Sequence, residues 1–425
     1  MIKFFSFVEG QRYIIKNIPQ KFIQNNYFVK NPDGTYTVRV CGISHYKDSN
    51  YFFFPKGYDA KYQSSQKHET AKMLFQTLLK YKNSIILKEE ESEWLGDENK
   101  DANFLDLVDW LVRDFQQNGL YVETEQKMEL NGNGRIDWSR SIKQRLPLIN
   151  QGQFVYLDMV TRKNQIDNNT LISLIHQKVI VDCIRNFSWL YDIYNSGEEI
   201  EIPISKEQQV IVLKKRLQEI FVGHDIKLIS SLIAYLETKK GENLDFNLVT
   251  PYFYMVWEEM LQFAFHHNES LQVLVPKPYW QIKDEKRYTR QIPDILFEFK
   301  DELVILDAKY YSISKRETGK YPGWESIVKQ MYYKLSFNHI YNTIKNIFIM
   351  PQSIRYKSKS TYIGKTSVEG KEYEFGYIYA YSVDIDTVLK SYISSYYLDD
   401  ILRIIFSDVN YRNDSLLKND FSGKN

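Results

Sequence analysis

Cysteine is nearly absent: Cys41 and Cys183 are the only two in 425 residues, which leaves no disulfide framework and no zinc-ligand spacing. The seven histidines are scattered, and the neighbours His266 and His267 lack the i, i+4 step that would pair two imidazoles on one helix face. A phosphate-cradling loop is missing too. No GxxxxGK(S/T) occurs anywhere, so the chain is not expected to hydrolyse nucleotides itself. Neither sign of charge dominates: 55 basic residues face 54 acidic ones, for a net charge of +1. Without a global basic field, affinity for nucleic acid has to come from local patches or from a partner. Long apolar runs are also lacking. The N-terminal MIKFFSFVEGQRYIIKN is interrupted by Glu9 and Arg12, so it reads as neither a signal peptide nor a membrane span, and the expectation is a cytoplasmic protein with no membrane partner.

What remains is ordinary globular composition, 43% hydrophobic and 26% charged, in a chain long enough for two or three domains. The expected architecture is a multidomain α+β protein. Residues 1–88 read as a strand-rich docking or recognition domain, with strands at 3–8, 27–29, 36–43 and 51–54, the turn Asn31-Pro32-Asp33-Gly34, and a helix over 68–81. The acidic stretch 89–101 reads as a linker or exposed loop. Residues 102–245 read as a mainly helical middle domain, with helices near 102–119, 170–195, 205–217 and 226–238, the last two parted by a break at Gly223-His224-Asp225. Residues 246–410 read as an α/β domain with a mixed sheet.

The chemistry concentrates in residues 291–311, QIPDILFEFKDELVILDAKYY. Two apolar, β-branched runs joined by a turn at Lys300-Asp301 have the character of strands buried on both faces. Buried strands rarely carry charge, yet Asp294 opens the first, and Asp307 and Lys309 close the second. With a side-chain period of two, Asp307 and Lys309 share a face roughly 6.6 to 7 Å apart, and a hairpin brings Asp294 beside Asp307. Two carboxylates and the Ala308 carbonyl make an all-oxygen site for a hard divalent ion such as Mg²⁺, with Mn²⁺ able to substitute. Beside such an ion, the Lys309 ammonium suits an attacking water or a scissile phosphate, the chemistry of phosphodiester hydrolysis. The bland alternative is an ion-paired strand end at a sheet rim.

Pro293-Asp294 followed by Asp307-Ala308-Lys309 resembles the PD-(D/E)xK nuclease signature. That superfamily has a glutamate-bearing helix before its core strands, which the resemblance assigns to Glu258, less readily Glu259, in the helix expected over 252–267. Many members carry a Gln and a Tyr on the helix after the Lys strand. Gln330 and Tyr333 in the helix expected over 324–339 match, with a step one residue shorter than in the RecB-like pattern. Further back, Gly134-Arg135-Ile136-Asp137-Trp138 and the turn Phe54-Pro55-Lys56-Gly57-Tyr58 resemble the LlaJI family of restriction endonucleases, which are similar to McrC, the nuclease subunit of the GTP-driven McrBC system. The resemblance implies a Mg²⁺-dependent endonuclease subunit acting on double-stranded DNA. Asp294, Asp307, the Ala308 carbonyl and Glu258 would bind metal, Lys309 would act in catalysis, Gln330 would orient the site, and an AAA+ GTPase similar to McrB would be the partner.

Two other readings stay open. One is a RecB-like repair or end-processing nuclease, told apart by a requirement for free DNA ends. The other is a catalytically inactive DNA-binding adaptor, against which the intact Asp294, Asp307 and Lys309 argue. Residues 353–371, where Arg355, Lys357, Lys359, Lys365 and Lys371 alternate with Tyr356 and Tyr362, read as a loop suited to phosphate contact and base stacking, or equally as a solvated loop.

Overall fold

A five-stranded mixed sheet carries the 291–311 stretch. Ile295–Phe299 and Glu302–Ala308 pair antiparallel, from Ile295 opposite Leu306 to Phe299 opposite Glu302. The turn between them holds Lys300 at φ 51° and Asp301 at φ 63°. Positive φ at both central residues is the primed turn whose twist matches that of the flanking strands. Glu302–Ala308 then runs parallel to Ile344–Gln352, which runs parallel to Ile378–Asp384, and Ser360–Thr366 closes the edge antiparallel. Parallel neighbours need a crossover. The helix Trp324–Phe337 supplies the first, burying Met331, Tyr333 and Phe337 against Leu296, Leu303, Ile305 and Phe348. Asp399–Ser422 covers other sheet residues through Phe406 against Phe299, ring centroids 4.5 Å apart. Cover of this kind explains why these strands are apolar runs without alternation.

The computed structural model describes residues 3–15, 18–47, 49–84, 87–95, 100–151, 153–167, 170–191, 200–238, 246–289, 291–312, 321–355 and 357–422. The chain forms two compact units, one of residues 103–244 and one of residues 1–102 together with 245–425. A second sheet shows how the flanking parts are joined. Lys3–Val8 lies parallel to Ser49–Phe54, which pairs antiparallel with Cys41–Tyr46, and the fourth strand is Phe246–Thr250, contributed from beyond the inserted unit. A smaller sheet of Arg12–Tyr13, Tyr36–Val38 and Phe28–Lys30 packs Phe28, Val38 and Val40 around Phe22 and Phe53.

The inserted unit holds the expected helices Leu171–Tyr191, Lys206–Leu217 and Gly223–Thr238 and most of Lys100–Asn118. Ser205 closes a capping box on the second of these. The expected break at 223–225 is instead the first turn of the last helix, where Asp225 faces the positive end of the dipole. The unit also contains strands that the sequence reading left out. Glu123–Leu130 and Val160–Asp167 pair antiparallel along eight residues, Arg135–Ile136 adds to the second, and Leu148–Asn150 pairs with Gln153–Val155. The Gly-Arg-Ile-Asp-Trp motif is the hinge of this sheet. A Cβ on Gly134 would lie 2.4 Å from the Arg162 carbonyl oxygen, and the Asp137 carboxylate caps the helix Trp138–Gln144 by accepting from the Arg140 amide at 3.1 Å.

Two further differences concern polar stretches. Glu89–Leu95 is a helix rather than a linker, with buried Glu91 accepting from the Tyr81 hydroxyl; residues 96–99 lie outside the described residues. The 353–371 stretch is in good part a strand, Ser360–Thr366, and several of its cations have partners within the chain. Lys365 Nζ sits 3.7 Å from the Tyr377 ring centroid, Lys359 Nζ 3.6 Å from Asp384, and Arg355 3.1 Å from Asp59. Tyr356 lies outside the described residues, and Tyr362 is covered by Arg412. These contacts use the side chains that a nucleic-acid loop would have offered. Among the described residues, no helix is long and apolar enough to cross a membrane.

Candidate active site

The hairpin register does what the period-two argument requires. Ile295 opposes Leu306, so Asp294, one residue earlier, stands beside Asp307, and its Oδ2 accepts from the Ala308 amide at 3.0 Å. Ala308 ends the second strand of the hairpin, and the Lys309 amide continues the ladder to the Ile349 carbonyl at 2.8 Å. The Asp307 side chain is only 2% exposed, and Lys309 Nζ lies 2.6 Å from its Oδ2. That contact lacks hydrogen-bond geometry, so the buried Oδ2 has no hydrogen-bond donor.

The helix Phe253–Ala264 presents Glu258 to this pair. Gln262, one turn on, donates to Glu258 Oε1 at 3.3 Å and to the Asp294 carbonyl at 2.9 Å, which ties the helix to the start of the hairpin. Burial raises the Glu258 carboxyl above its ordinary range against the pull of Lys88, and the Asp307 charge raises it further. Glu259 is also raised by burial, but the charge it feels is Glu269, away from the aspartates. The structure therefore puts Glu258, not Glu259, at the site. Asp294 is pushed up to about 8, first by burial and then by the Asp307 and Glu258 charges.

The helix after the Lys strand contributes differently from what the resemblance implies for Gln330. Gln330 is buried and donates from Nε2 to the Ile305 carbonyl at 3.1 Å, two residues before Asp307, so it holds the strand rather than reaching the carboxylates. Among the described residues, its Oε1 has no hydrogen-bond partner. Tyr333 is raised first by burial and then by the charges of Asp294 and Asp307. The residue that faces the site from this helix is Lys329, with Nζ 4.0 Å from Asp294 Oδ1. Lys329 and Gln262 escaped the sequence reading because neither belongs to the motif; the only trace of Gln262 is its i, i+4 step from Glu258.

An acidic donor set made only of oxygens, in which burial and then like charge raise the Asp294 and Glu258 carboxyls, fits a hard divalent cation. Among the described residues, no three acidic, imidazole or thiol side chains are gathered closely enough to ligate one ion as they stand. Lys309 occupies the Asp307 oxygen instead.

This crowding has a measurable consequence for stability. With the folded pKa of Asp294 raised from 3.8 to about 8, the native state holds this proton more tightly than the unfolded chain does. Asp294 therefore costs stability increasingly as pH rises from about 4 to about 8, on the order of a few kcal/mol at the upper end. Asp294→Asn is expected to raise the melting temperature of the metal-free protein at pH near 8 and to flatten its decline over that window. Parallel melting curves for the two proteins across pH would rule the crowding out.

Comparison places the chain among restriction endonucleases. It belongs to the LlaJI restriction endonuclease family, whose model matches residues 40–396. A curated relative, the type II restriction enzyme BsuMI component YdjA of Bacillus subtilis (strain 168), is 26% identical over 374 residues, which cover 81% of this chain and 76% of the relative. Among solved structures, the chain is similar to one in the half-complex from a tetradecameric assembly of Thermococcus gammatolerans McrB AAA+ hexamers with bound McrC, at 13% identity and TM-score 0.37, covering 92% of this chain and 99% of that one. It is similar also to a chain of the Thermococcus gammatolerans McrBC complex, at 10% identity and TM-score 0.24, covering 55% and 80%. The family resemblance read from the sequence is borne out.

Proposed function

We propose that this chain is the nuclease subunit of a restriction system, and that it hydrolyses phosphodiester bonds of double-stranded DNA with Mg²⁺ at a PD-(D/E)xK core. The observation that carries the reading is the buried Asp294–Asp307 pair at the hairpin end, with Lys309 on one and Glu258 facing both. Asp294, Asp307 and the Ala308 carbonyl would hold the ion, with Glu258 as a further ligand. When bound, such an ion supplies charge stabilisation at the phosphate and a water that ionises near neutral pH. Lys309, paired with Asp307 here, would steady the phosphate or the attacking water. Gln330 fixes the height of the strand through the Ile305 carbonyl, and Lys329 adds positive charge at the Asp294 side.

The second half of the proposal is a partner, an AAA+ GTPase that licenses cleavage. Support comes from the resemblance of the sequence to McrC, from the Bacillus relative's being one component of a restriction enzyme, and from a surface. In the inserted unit, Leu146, Leu148, Ile149, Phe154 and Leu157 are each more than half exposed, around the hairpin Leu148–Asn150/Gln153–Val155. Exposed apolar clusters of this kind mark protein contact sites. They move the proposed docking surface from residues 1–88 to the inserted unit.

The test is cleavage of circular plasmid by the purified chain, alone and with a candidate AAA+ GTPase from the same source and its nucleotide. Weak cutting alone and strong cutting with the partner is the expected result. Phe154→Asp should remove the stimulation and leave the basal rate. Efficient site-specific cutting by the chain alone would overturn the licensing role, cutting only of linear DNA would favour an end-processing nuclease, and no cutting under any condition would overturn the nuclease.

A further inference from the structure

Just ahead of Asp294 the chain makes a feature that the site does not use. Tyr279–Ile282 and Glu285–Tyr288 form an isolated two-stranded ribbon, paired with no other strand, and all eight residues are exposed. A lone hairpin in water is marginal at best. This one is held by its own side chains: the Tyr279 and Tyr288 rings lie 5.7 Å apart, and Lys286 Nζ sits 4.4 Å from the Tyr279 centroid. Its root is pinned where the Thr289 amide and hydroxyl both donate to the Pro278 carbonyl, at 2.8 and 3.2 Å. Nearby, the Tyr332 hydroxyl donates to the Pro276 carbonyl at 3.2 Å, from the helix that also bears Lys329.

The ribbon spends no side chain on the protein core. Trp280 is 70% exposed and Tyr288 61%, an unusual placement for large aromatics. Residues 277–288 also hold four cations, Lys277, Lys283, Lys286 and Arg287, against Asp284 and Glu285. That surplus of two exceeds the net charge of the whole 425-residue chain, which is +1. Trp280 pairs across the ribbon with Arg287, and Gln281 with Lys286, so a cation and a flat or polar group stand together on each face. A two-stranded ribbon has the width to enter the major groove of B-DNA, and cations on its flanks meet phosphates. Asp294 lies six positions after Tyr288, a span of at most about 20 Å or roughly six base pairs.

Resting on the nuclease reading above, we propose that this ribbon is the duplex anchor of the enzyme: it lies in a groove of double-stranded DNA within a turn of the scissile phosphate, with Lys283, Lys286 and Arg287 on the backbone. Contacts to phosphate position a duplex without reading its sequence. The anchor therefore adds affinity for every duplex and fixes how the phosphate enters the site.

The experiment measures binding of the full-length chain to a fluorescent duplex in EDTA, where no cleavage occurs, between about 20 and 200 mM salt. Lys286→Ala/Arg287→Ala is expected to lower the slope of log affinity against log salt by about 1.8, and affinity near 0.1 M salt by roughly 60-fold, since each phosphate contact contributes about 0.9 to the slope. Trp280 should photo-crosslink to bromodeoxyuridine placed in the duplex. An unchanged slope in the double variant together with no crosslink at Trp280 overturns the anchor. Cleavage of plasmid by the parent chain with its partner reports separately on the nuclease reading, so an intact nuclease with a dispensable ribbon is distinguishable from no nuclease at all.

Discussion

Asp307→Ala is expected to lower plasmid cleavage in Mg²⁺ by about a thousand-fold or more while the protein still folds, and Asp294→Ala and Lys309→Ala to do the same. Two effects on stability compete in the Asp307 variant. Removing the carboxylate strands Lys309, whose side chain is only 14% exposed, and a buried charge left without its partner costs about 3–5 kcal/mol. Against this, it removes one of the two charges that hold the Asp294 carboxyl at about 8. Burial, the larger cause, and Glu258 still keep that carboxyl raised, so the relief offsets only part of the cost. Glu258 and Glu259 give an internal control. Both are partly buried on the same helix, but only Glu258 feels Asp307, so Glu258→Gln should reduce cleavage at least about tenfold more than Glu259→Gln. Cleavage and thermal melting measured together separate chemistry from folding. Normal cutting by Asp307→Ala would remove these residues from the active site.

The nuclease hairpin was legible because every local signal agreed: β-branched apolar runs, a two-residue turn at Lys300-Asp301, and charges placed at the strand ends where a register argument could pair them. Helices 253–264 and 324–337 were legible within about three residues because their apolar stripes face a core. Long-range pairing was not. Phe246–Thr250 lies against Cys41–Tyr46, and a contact between residues two hundred positions apart leaves no periodic trace in either. The sheet of the inserted unit escaped for another reason. ETEQKMEL and VTRKNQID are polar on both faces, with Lys127 directly opposite Lys163, so no alternation marks them as strands. The choice between Glu258 and Glu259 depended on which way one helix faces, which needed the packing of Gln262 against the Asp294 carbonyl to decide.

The turn Phe54-Pro55-Lys56-Gly57-Tyr58, first noticed as a family resemblance, proves to be the joint between the N-terminal sheet and the nuclease sheet, and its replacement should be costly. Glu9 is 6% exposed and accepts from the Tyr310 hydroxyl at 2.7 Å, with Lys56 Nζ at 3.3 Å. The same hydroxyl accepts from the Lys56 amide at 3.0 Å, and Tyr310 is the residue after Lys309. Gly57 adopts φ +83°, and a Cβ there would lie 2.1 Å from the Pro351 carbonyl oxygen on the strand Ile344–Gln352. Gly57→Ala therefore combines backbone strain with overlap against a main chain that cannot swing aside, about 2–5 kcal/mol together. Lys56→Met leaves Glu9 buried without its cation, at about 3–5 kcal/mol if the carboxyl stays ionised. Burial already raises the Glu9 carboxyl, so the variant has a second course, which is to protonate Glu9. The sign follows: the cost of Lys56→Met should be smaller at pH 5 than at pH 8. Glu9→Gln should recover much of it, because an amide can still hydrogen-bond to Tyr310 without needing a counter-charge. Denaturant unfolding of the two single variants and the double at both pH values measures this coupling. Additive losses with no pH dependence would mean that Glu9 and Lys56 act separately, and that the joint is held by Gly57 and Tyr310 alone.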